Sequence, residues 1–188
     1  VVTHLALPDT TVAEITVRTE VENLQPIAKQ VSVDLNLEGK KVTQEVNLAP
    51  KERKTVVFTP DVHKTLELKS PRLWWPNNYG RQELYTMDVV VAEKGVSSDS
   101  KKVRFGVREL SYELEVCFPD DSIRRVEYRP TVMGQGEPIF DNINRKYIEG
   151  GMCMPRLKKN VSSDILVPAP DKAMQHYMVI KVNGKRNF

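Results

Sequence analysis

The sequence predicts an all-β protein built as an antiparallel β-sandwich, and three observations carry that expectation. From residue 12 to about residue 116 the hydrophobic period is two. The apolar positions in these runs are rich in β-branched residues, which suit a pleated, half-buried surface. Turn chemistry recurs about every 8–12 residues, the spacing of a sandwich rather than of βαβ units.

The elements follow in order. Ile15, Val17, Thr19 and Val21 alternate with Thr16, Arg18, Glu20 and Glu22, so one face of this strand enters a core and the other meets water. Val31, Val33, Leu35 and Leu37 repeat the pattern against Ser32, Asp34 and Asn36. Further strands are expected over Lys41–Leu48, Arg53–Thr59, Thr65–Lys69, Glu83–Ala92, Lys101–Phe105 and Glu109–Val116. Glu38-Gly39-Lys40, Ala49-Pro50-Lys51 and Glu93-Lys94-Gly95 supply the turns between neighbours. Seven or eight short strands with almost no helical periodicity describe an immunoglobulin-like sandwich over residues 1–116.

The pattern breaks over residues 117–173, which hold six of the twelve prolines and four of the nine glycines. Anchors such as Tyr128, Ile139, Phe140, Ile143, Tyr147, Ile148, Leu157, Ile165 and Leu166 set the segment apart from disordered chain. We expect an ordered insertion packed on the sandwich, with a short helical turn near Asp141–Tyr147. Residues 174–188 return to strand character in Tyr177–Val182, and Asn183-Gly184 is a strong hairpin turn. The fold class is therefore an immunoglobulin-like antiparallel β-sandwich with a long ordered insertion before the last strand.

Composition bounds the function. At 188 residues the chain is one large domain or a domain with an extension, and it is too short for a (β/α)8 barrel of about 250 residues. The 28 basic and 25 acidic residues leave a net charge of +3, a mixed surface without the clustered cations that bind nucleic acid. Arg156-Leu157-Lys158-Lys159, the most basic run, reads as a solvated loop. Apolar runs such as Val89–Ala92 fall far short of the about 20 residues of a membrane helix. Val1-Val2-Thr3-His4 is no signal peptide, and a start in mid-pattern leads us to expect a processed or excised chain.

Motifs for chemistry are few. Cys117 and Cys153 could form one bridge, although their spacing does not demand it and two reduced thiols are the plainer reading. His4, His63 and His176 lie far apart, and neither Cys-x-x-Cys nor His-Glu-x-x-His occurs, so we expect no metal and no cofactor. Gly134-Gln135-Gly136 and Gly150-Gly151 read as turns rather than phosphate loops. Asn160-Val161-Ser162 matches a glycosylation acceptor that often arises by chance.

One segment is unusual. Leu73-Trp74-Trp75-Pro76-Asn77-Asn78-Tyr79-Gly80-Arg81-Gln82-Glu83-Leu84-Tyr85 carries both tryptophans of the chain. Adjacent residues on an extended strand point to opposite faces, so at most one indole fills the core. The other meets solvent, another domain or a sugar, for which an aromatic face is a stacking platform; packing against another domain is the plainer reading.

Four ordered motifs carry a resemblance. Ser70-Pro71-Arg72-Leu73-Trp74-Trp75-Pro76, then Gly80 with Leu84-Tyr85, then Val103-Arg104-Phe105-Gly106-Val107-Arg108-Glu109, then Val182-Asn183-Gly184-Lys185 resemble the immunoglobulin-like domain of family 2 glycoside hydrolases. The doubled tryptophan is most similar to the branch of β-mannosidases, exo-β-glucosaminidases and endo-β-mannosidases. The likeness covers about residues 12–112 and 175–188, and the 117–173 insertion departs from the usual family pattern.

The resemblance implies a parent enzyme that hydrolyses O-glycosyl bonds of β-linked glycans, is periplasmic or secreted, and carries its catalytic glutamates on a (β/α)8 barrel. The acid/base glutamate of that family follows an asparagine, and no Asn-Glu dipeptide occurs here, so no catalytic residue is expected in these 188 residues. The expected role is to brace the barrel and shape one wall of its cleft, with Trp74, Trp75, Tyr79 and Arg108 meeting neighbouring domains or sugar. A planar guanidinium suits bidentate pairing at an interface, while a strand residue paired with a local carboxylate is an equal alternative for Arg108. Two alternatives stand beside this reading: a free carbohydrate-binding or adhesion module using Trp75 and Tyr79, and a structural sandwich of a surface or filament protein.

Overall fold

The computed structural model describes residues 1–133, 138–147, 153–162, 166–169 and 178–187. The described residues are almost all β and their strands pair mainly antiparallel, and the chain divides into two compact units, Val1–Arg108 and Glu109–Phe188.

The first unit is a sandwich. Its strands are β1 (Val2–Leu5), β2 (Val12–Glu22), β3 (Lys29–Leu37), β4 (Lys40–Leu48), β5 (Arg53–Phe58), β6 (Glu67–Lys69), β7 (Tyr85–Glu93) and β8 (Val96–Phe105), with a single 3-10 turn at Lys64–Leu66 leading into β6. One sheet has the order β1-β2-β5 with β6 also on β2, and the other runs β4-β3-β7-β8. The period-two residues face inward as expected: Ala13, Ile15, Val17 and Val21 from β2, Val31 to Leu37 from β3, and Tyr85, Met87 and Val89 from β7 are buried in one cluster. Phe58, Leu5, Leu35 and Leu66 are among its fully buried large side chains.

The hairpins β3–β4 and β7–β8 close on Glu38-Gly39 (φ +48° and +89°) and Lys94-Gly95 (φ +50° and +80°). Positive φ at both central residues gives the turn the twist of its flanking strands, and glycine supplies the second position without strain. Strand β1 and the first half of β8 have no period-two signature in the sequence. Seven successive residues of β8, Val96–Lys102, are exposed, so backbone pairing with β7 holds them extended and apolar alternation does not mark them.

The second unit contains β9 (Leu110–Cys117), β10 (Ile123–Tyr128), a helical turn at Pro130–Met133, β11 (Phe140–Tyr147), β12 (Cys153–Leu157), β13 (Val167–Pro168), β14 (Met178–Val182) and β15 (Lys185–Asn187). Strand β9 pairs antiparallel with β10 and with β14 and meets β12 at a single parallel position, Arg156 opposite Cys117. Its core gathers Val116, Phe118, Val126, Ile139, Leu157 and Leu166. The Tyr128 and Phe140 rings meet edge to face, 5.3 Å apart.

Two expectations need correction here. Residues Asp141–Tyr147 form a strand, not a helical turn, because β11 is pinned to β12 by Phe140 opposite Leu157 and Tyr147 opposite Cys153. The compact units divide at Arg108, whereas the strand pattern put the boundary after Val116. Residues 110–117 belong with the second unit because β14 and β10 flank them on its sheet, and period-two alternation cannot tell which sheet a strand will join. The glycine pairs at 134–136 and 150–151, together with Ile148, Ile165, His176 and Tyr177, lie outside the described residues. Cys117 is a free, buried thiol.

A buried ionic chain crosses the sheet of the second unit. Arg125 donates from Nη2 to Glu113 Oε2 at 2.6 Å with both side chains almost wholly buried. Lys181 Nζ lies 2.5 Å from Glu113 Oε1 and 3.4 Å from Glu127 Oε2, and Arg129 Nε lies 3.0 Å from Glu127 Oε1. Alternation of charge along the chain offsets the desolvation that burial of each ion imposes. At the foot of β9 and β14, Asn183 donates its backbone N–H to Glu109 O and accepts the Glu109 N–H on Oδ1, both at 2.8 Å.

Candidate functional site

The segment 70–84 leaves the sandwich between β6 and β7 and returns as a loop tied by backbone hydrogen bonds and bridges. Ser70 and Asn78 adopt positive φ. Leu73 bridges to Val107, Trp74 bridges to Gln82, and Leu73 packs on the core. The Trp74 N–H donates to Val107 O at 2.8 Å, the Trp75 N–H to Arg81 O at 3.1 Å, and the Tyr79 N–H to Pro76 O at 3.1 Å. Gln82 Nε2 donates to Asn77 Oδ1 at 2.9 Å across the loop. Backbone contacts therefore hold both tryptophans in place.

Neither indole is part of the buried core; each is half-buried, and Tyr79 is exposed at the turn. The two rings are separately seated. A Cβ on Gly106 would lie 2.8 Å from Trp74 Cβ, and a Cβ on Gly80 would lie 2.8 Å from Trp75 Cδ1. Each glycine thus gives one indole room to approach the backbone. On Trp74 rests the Arg108 guanidinium, its central carbon 4.8 Å from the ring centroid, a cation–π contact. Arg108 is exposed, with its guanidinium against this ring.

The structure thus brings Trp74 and Arg108 together, seats Trp75 on Gly80, and places Tyr79 at the loop tip. Three contributors escaped the sequence reading. Gly80 and Gly106 stood in the family-like motifs without a role. Arg72 anchors the loop base: its backbone N–H donates to Tyr85 Oη at 2.7 Å, and its guanidinium lies 4.3 Å from the Tyr85 ring centroid and 2.5 Å from Glu38 Oε1. The hydrogen bond to Glu38 holds the Arg72 guanidinium above its ordinary value. The Pro-Arg-x-Trp order was the signal available, since an arginine beside aromatics suits cation–π stacking. Among the described residues no three His, Cys, Asp or Glu side chains converge as a metal site, and no helix is long and apolar enough to cross a membrane.

The loop thus carries two separately seated, half-buried indoles on an antiparallel sandwich. The family model for glycosyl hydrolases family 2 matches residues 1–108, and the chain belongs to that family. The matched span coincides with the first compact unit. The exo-β-D-glucosaminidase of Amycolatopsis orientalis is 38% identical over 102 residues, which make up 54% of this chain and 9% of that protein. The mannosylglycoprotein endo-β-mannosidase of Lilium longiflorum is 30% identical over 90 residues, 47% of this chain and 9% of that protein. The crystal structure of the exo-chitosanase of Amycolatopsis orientalis superposes with a TM-score of 0.54 at 31% identity, covering 69% of this chain and 14% of the other. This chain spans about a tenth of the length of the curated relatives it matches.

Proposed function

We propose that these residues are the sandwich domain of a multidomain glycoside hydrolase that acts on β-linked glycans of the β-mannoside or β-glucosaminide type. The domain is non-catalytic and braces a (β/α)8 barrel, presenting Trp74, Trp75, Tyr79 and Arg108 to a neighbouring domain. The observation that carries this reading is the seating of the two tryptophans. Half-buried indoles held by backbone hydrogen bonds, by Gly80 and Gly106 and by Arg108 form a preorganised apolar patch, and aromatic and arginine side chains are the residues that dominate such contacts. Family membership and the small share of each relative that is matched support a longer parent. The parent is proposed to be periplasmic or secreted, as the family resemblance implies.

The test is made in the parent enzyme. Trp75→Ala is expected to lower the unfolding midpoint of the whole protein and to reduce kcat/KM on a β-glucosaminide or β-mannoside. If this variant leaves both unchanged, or if the gene encodes no glycosidase barrel, the reading fails. Saturable binding of a β-glycan to the sandwich, lost in Trp75→Ala and in Tyr79→Ala, would instead favour a carbohydrate-binding module.

A further inference from the structure

Among the described residues three guanidinium groups rest on aromatic rings. Arg72 lies 4.3 Å from the Tyr85 ring centroid, Arg108 4.8 Å from that of Trp74, and Arg124 4.5 Å from that of Phe118. Two of the three are completed by a carboxylate. Arg72 Nη2 lies 2.5 Å from Glu38 Oε1, and Arg124 Nη2 lies 3.1 Å from Asp120 Oδ2. The third has its ring alone. Among the described residues the Arg108 side chain takes no carboxylate and no hydrogen-bond acceptor; the Thr3 hydroxyl donates at 3.3 Å to its backbone oxygen.

The ring contact fixes a fork of donors at the surface. A guanidinium carries its N–H groups in one plane, and a carboxylate accepts a pair of them side by side. An aromatic ring occupies a face of the group and leaves the in-plane donors open. Holding the side chain in advance also removes part of the ordering cost that pairing imposes on a free arginine. The surroundings have the same sign. Arg81, on the same loop, has a side chain 91% exposed and finds Glu83 no closer than 4.0 Å, whereas the charge of Arg72 is already met by Glu38. The surface around the indoles thus presents Arg81 and Arg108 against the single carboxylate of Glu83.

We propose that Arg108 receives an aspartate or glutamate side chain of the neighbouring domain in the parent enzyme. That carboxylate completes on Trp74 the ring, guanidinium and carboxylate arrangement already present at Tyr85 and Phe118. The inference rests on the reading of this loop as a surface that meets another domain, and it adds the chemistry of the partner. A carboxylate is selected over a hydroxyl or a carbonyl because the exposed charge is positive and because both completed examples take one. Charge pairing across a contact fixes register and suppresses wrong partners, which apolar contact with the indoles does not do.

The experiment uses the full-length parent. Arg108→Lys puts an amine in place of the guanidinium, and a water-soluble carbodiimide joins that amine to a carboxylate in contact with it, taking up the water lost as the amide forms. Peptide mapping by mass spectrometry is expected to show position 108 linked to an Asp or Glu outside residues 1–188. The acid so identified, changed to Arg in a chain that carries Arg108→Glu, is expected to recover more than half of the unfolding midpoint lost in Arg108→Glu alone. Raised salt should lower the midpoint of the unmodified enzyme more than that of Arg108→Gln, because salt screens the pair. No cross-link, a cross-link confined to carboxylates of residues 1–188, strict additivity in the charge swap, or equal salt dependence would each overturn the inference. A midpoint raised by an oligogalacturonate, and not raised in Arg108→Gln, would overturn it in favour of a uronate sugar. The bracing reading is tested apart: a Trp75→Ala variant that weakens the enzyme while position 108 stays unlinked leaves that reading standing and removes only the carboxylate.

Discussion

The Arg108 guanidinium sits over the Trp74 ring, 4.8 Å from its centroid, although thirty-four positions separate the two residues in the chain. The contact joins the loop after β6 to the segment after β8, and Gly106 makes it possible by letting Trp74 approach the backbone. An exposed cation–π contact of this kind contributes about 0.5–1 kcal/mol, enough to orient an arginine without burying it.

Gly106→Ala is expected to destabilise the first unit by about 1–3 kcal/mol, the usual cost of overpacking. The added methyl would meet Trp74 Cβ at 2.8 Å, an atom fixed by the backbone. Gly80→Ala brings its methyl to 2.8 Å from Trp75 Cδ1, 2.9 Å from Cγ and 3.1 Å from Cβ, all near the root of the side chain, so it is expected to cost a similar amount and to shift the tryptophan emission. Denaturant melts and fluorescence spectra of the two variants measure both effects; an unchanged stability in either would contradict the argument.

Arg108→Ala is expected to cost about 0.5–1 kcal/mol and to increase quenching of Trp74 by iodide. Arg108→Lys should retain less than half of the lost stability, since an ammonium lacks the planar face that stacks on an indole. Chemical denaturation beside iodide quenching measures both effects.

Glu113→Ala leaves the Arg125 guanidinium buried without its carboxylate, and Lys181 loses its closest one. Breaking a buried pair from one side costs about 3–5 kcal/mol. The double variant Glu113→Leu with Arg125→Met removes both charges and should unfold closer to the unmodified protein than Glu113→Ala does. A double-mutant cycle checks the sign, and strict additivity of the two single substitutions would refute the coupling.

The turn that leads into β10 responds to acid. Ser122 donates from its hydroxyl at 2.6 Å and from its backbone N–H at 3.1 Å to Asp120 Oδ1, and these bonds, with Arg124 adding attraction, hold the Asp120 carboxyl below its ordinary value of 3.8. A carboxyl lowered by folding stabilises the folded state above its unfolded value, and that contribution disappears as pH falls through the folded value. Exchange of the Ser122 amide should therefore accelerate below about pH 4 and lose this dependence in Asp120→Asn. An NMR titration of the Asp120 carboxyl reads the same transition directly.

Much of the sandwich is legible in sequence because a half-buried strand writes its burial as a period of two. Ile15, Val17, Val33 and Leu35 need only alternation to be assigned to the core, and Lys94-Gly95 and Asn183-Gly184 mark their hairpins by turn chemistry. Where burial and period part company, the reading fails. Residues 96–102 carry no apolar face, so alternation marks only Lys101–Phe105 of β8, and nothing within Asp141–Tyr147 itself announces the pairing with β12 that makes it a strand.

By itself the sequence determined the all-β class, the inward faces of the sandwich strands and the loop where its two tryptophans lie. Tertiary structure alone decided that residues 110–117 join the sheet of the second unit, that Arg108 stacks on Trp74, and that two glycines seat the two indoles. The physical reason is range. Alternation and turn conformation are set by neighbours a few bonds away, whereas a sheet partner, a cation over a ring and the space for a missing Cβ are set by residues that folding brings together from distant parts of the chain.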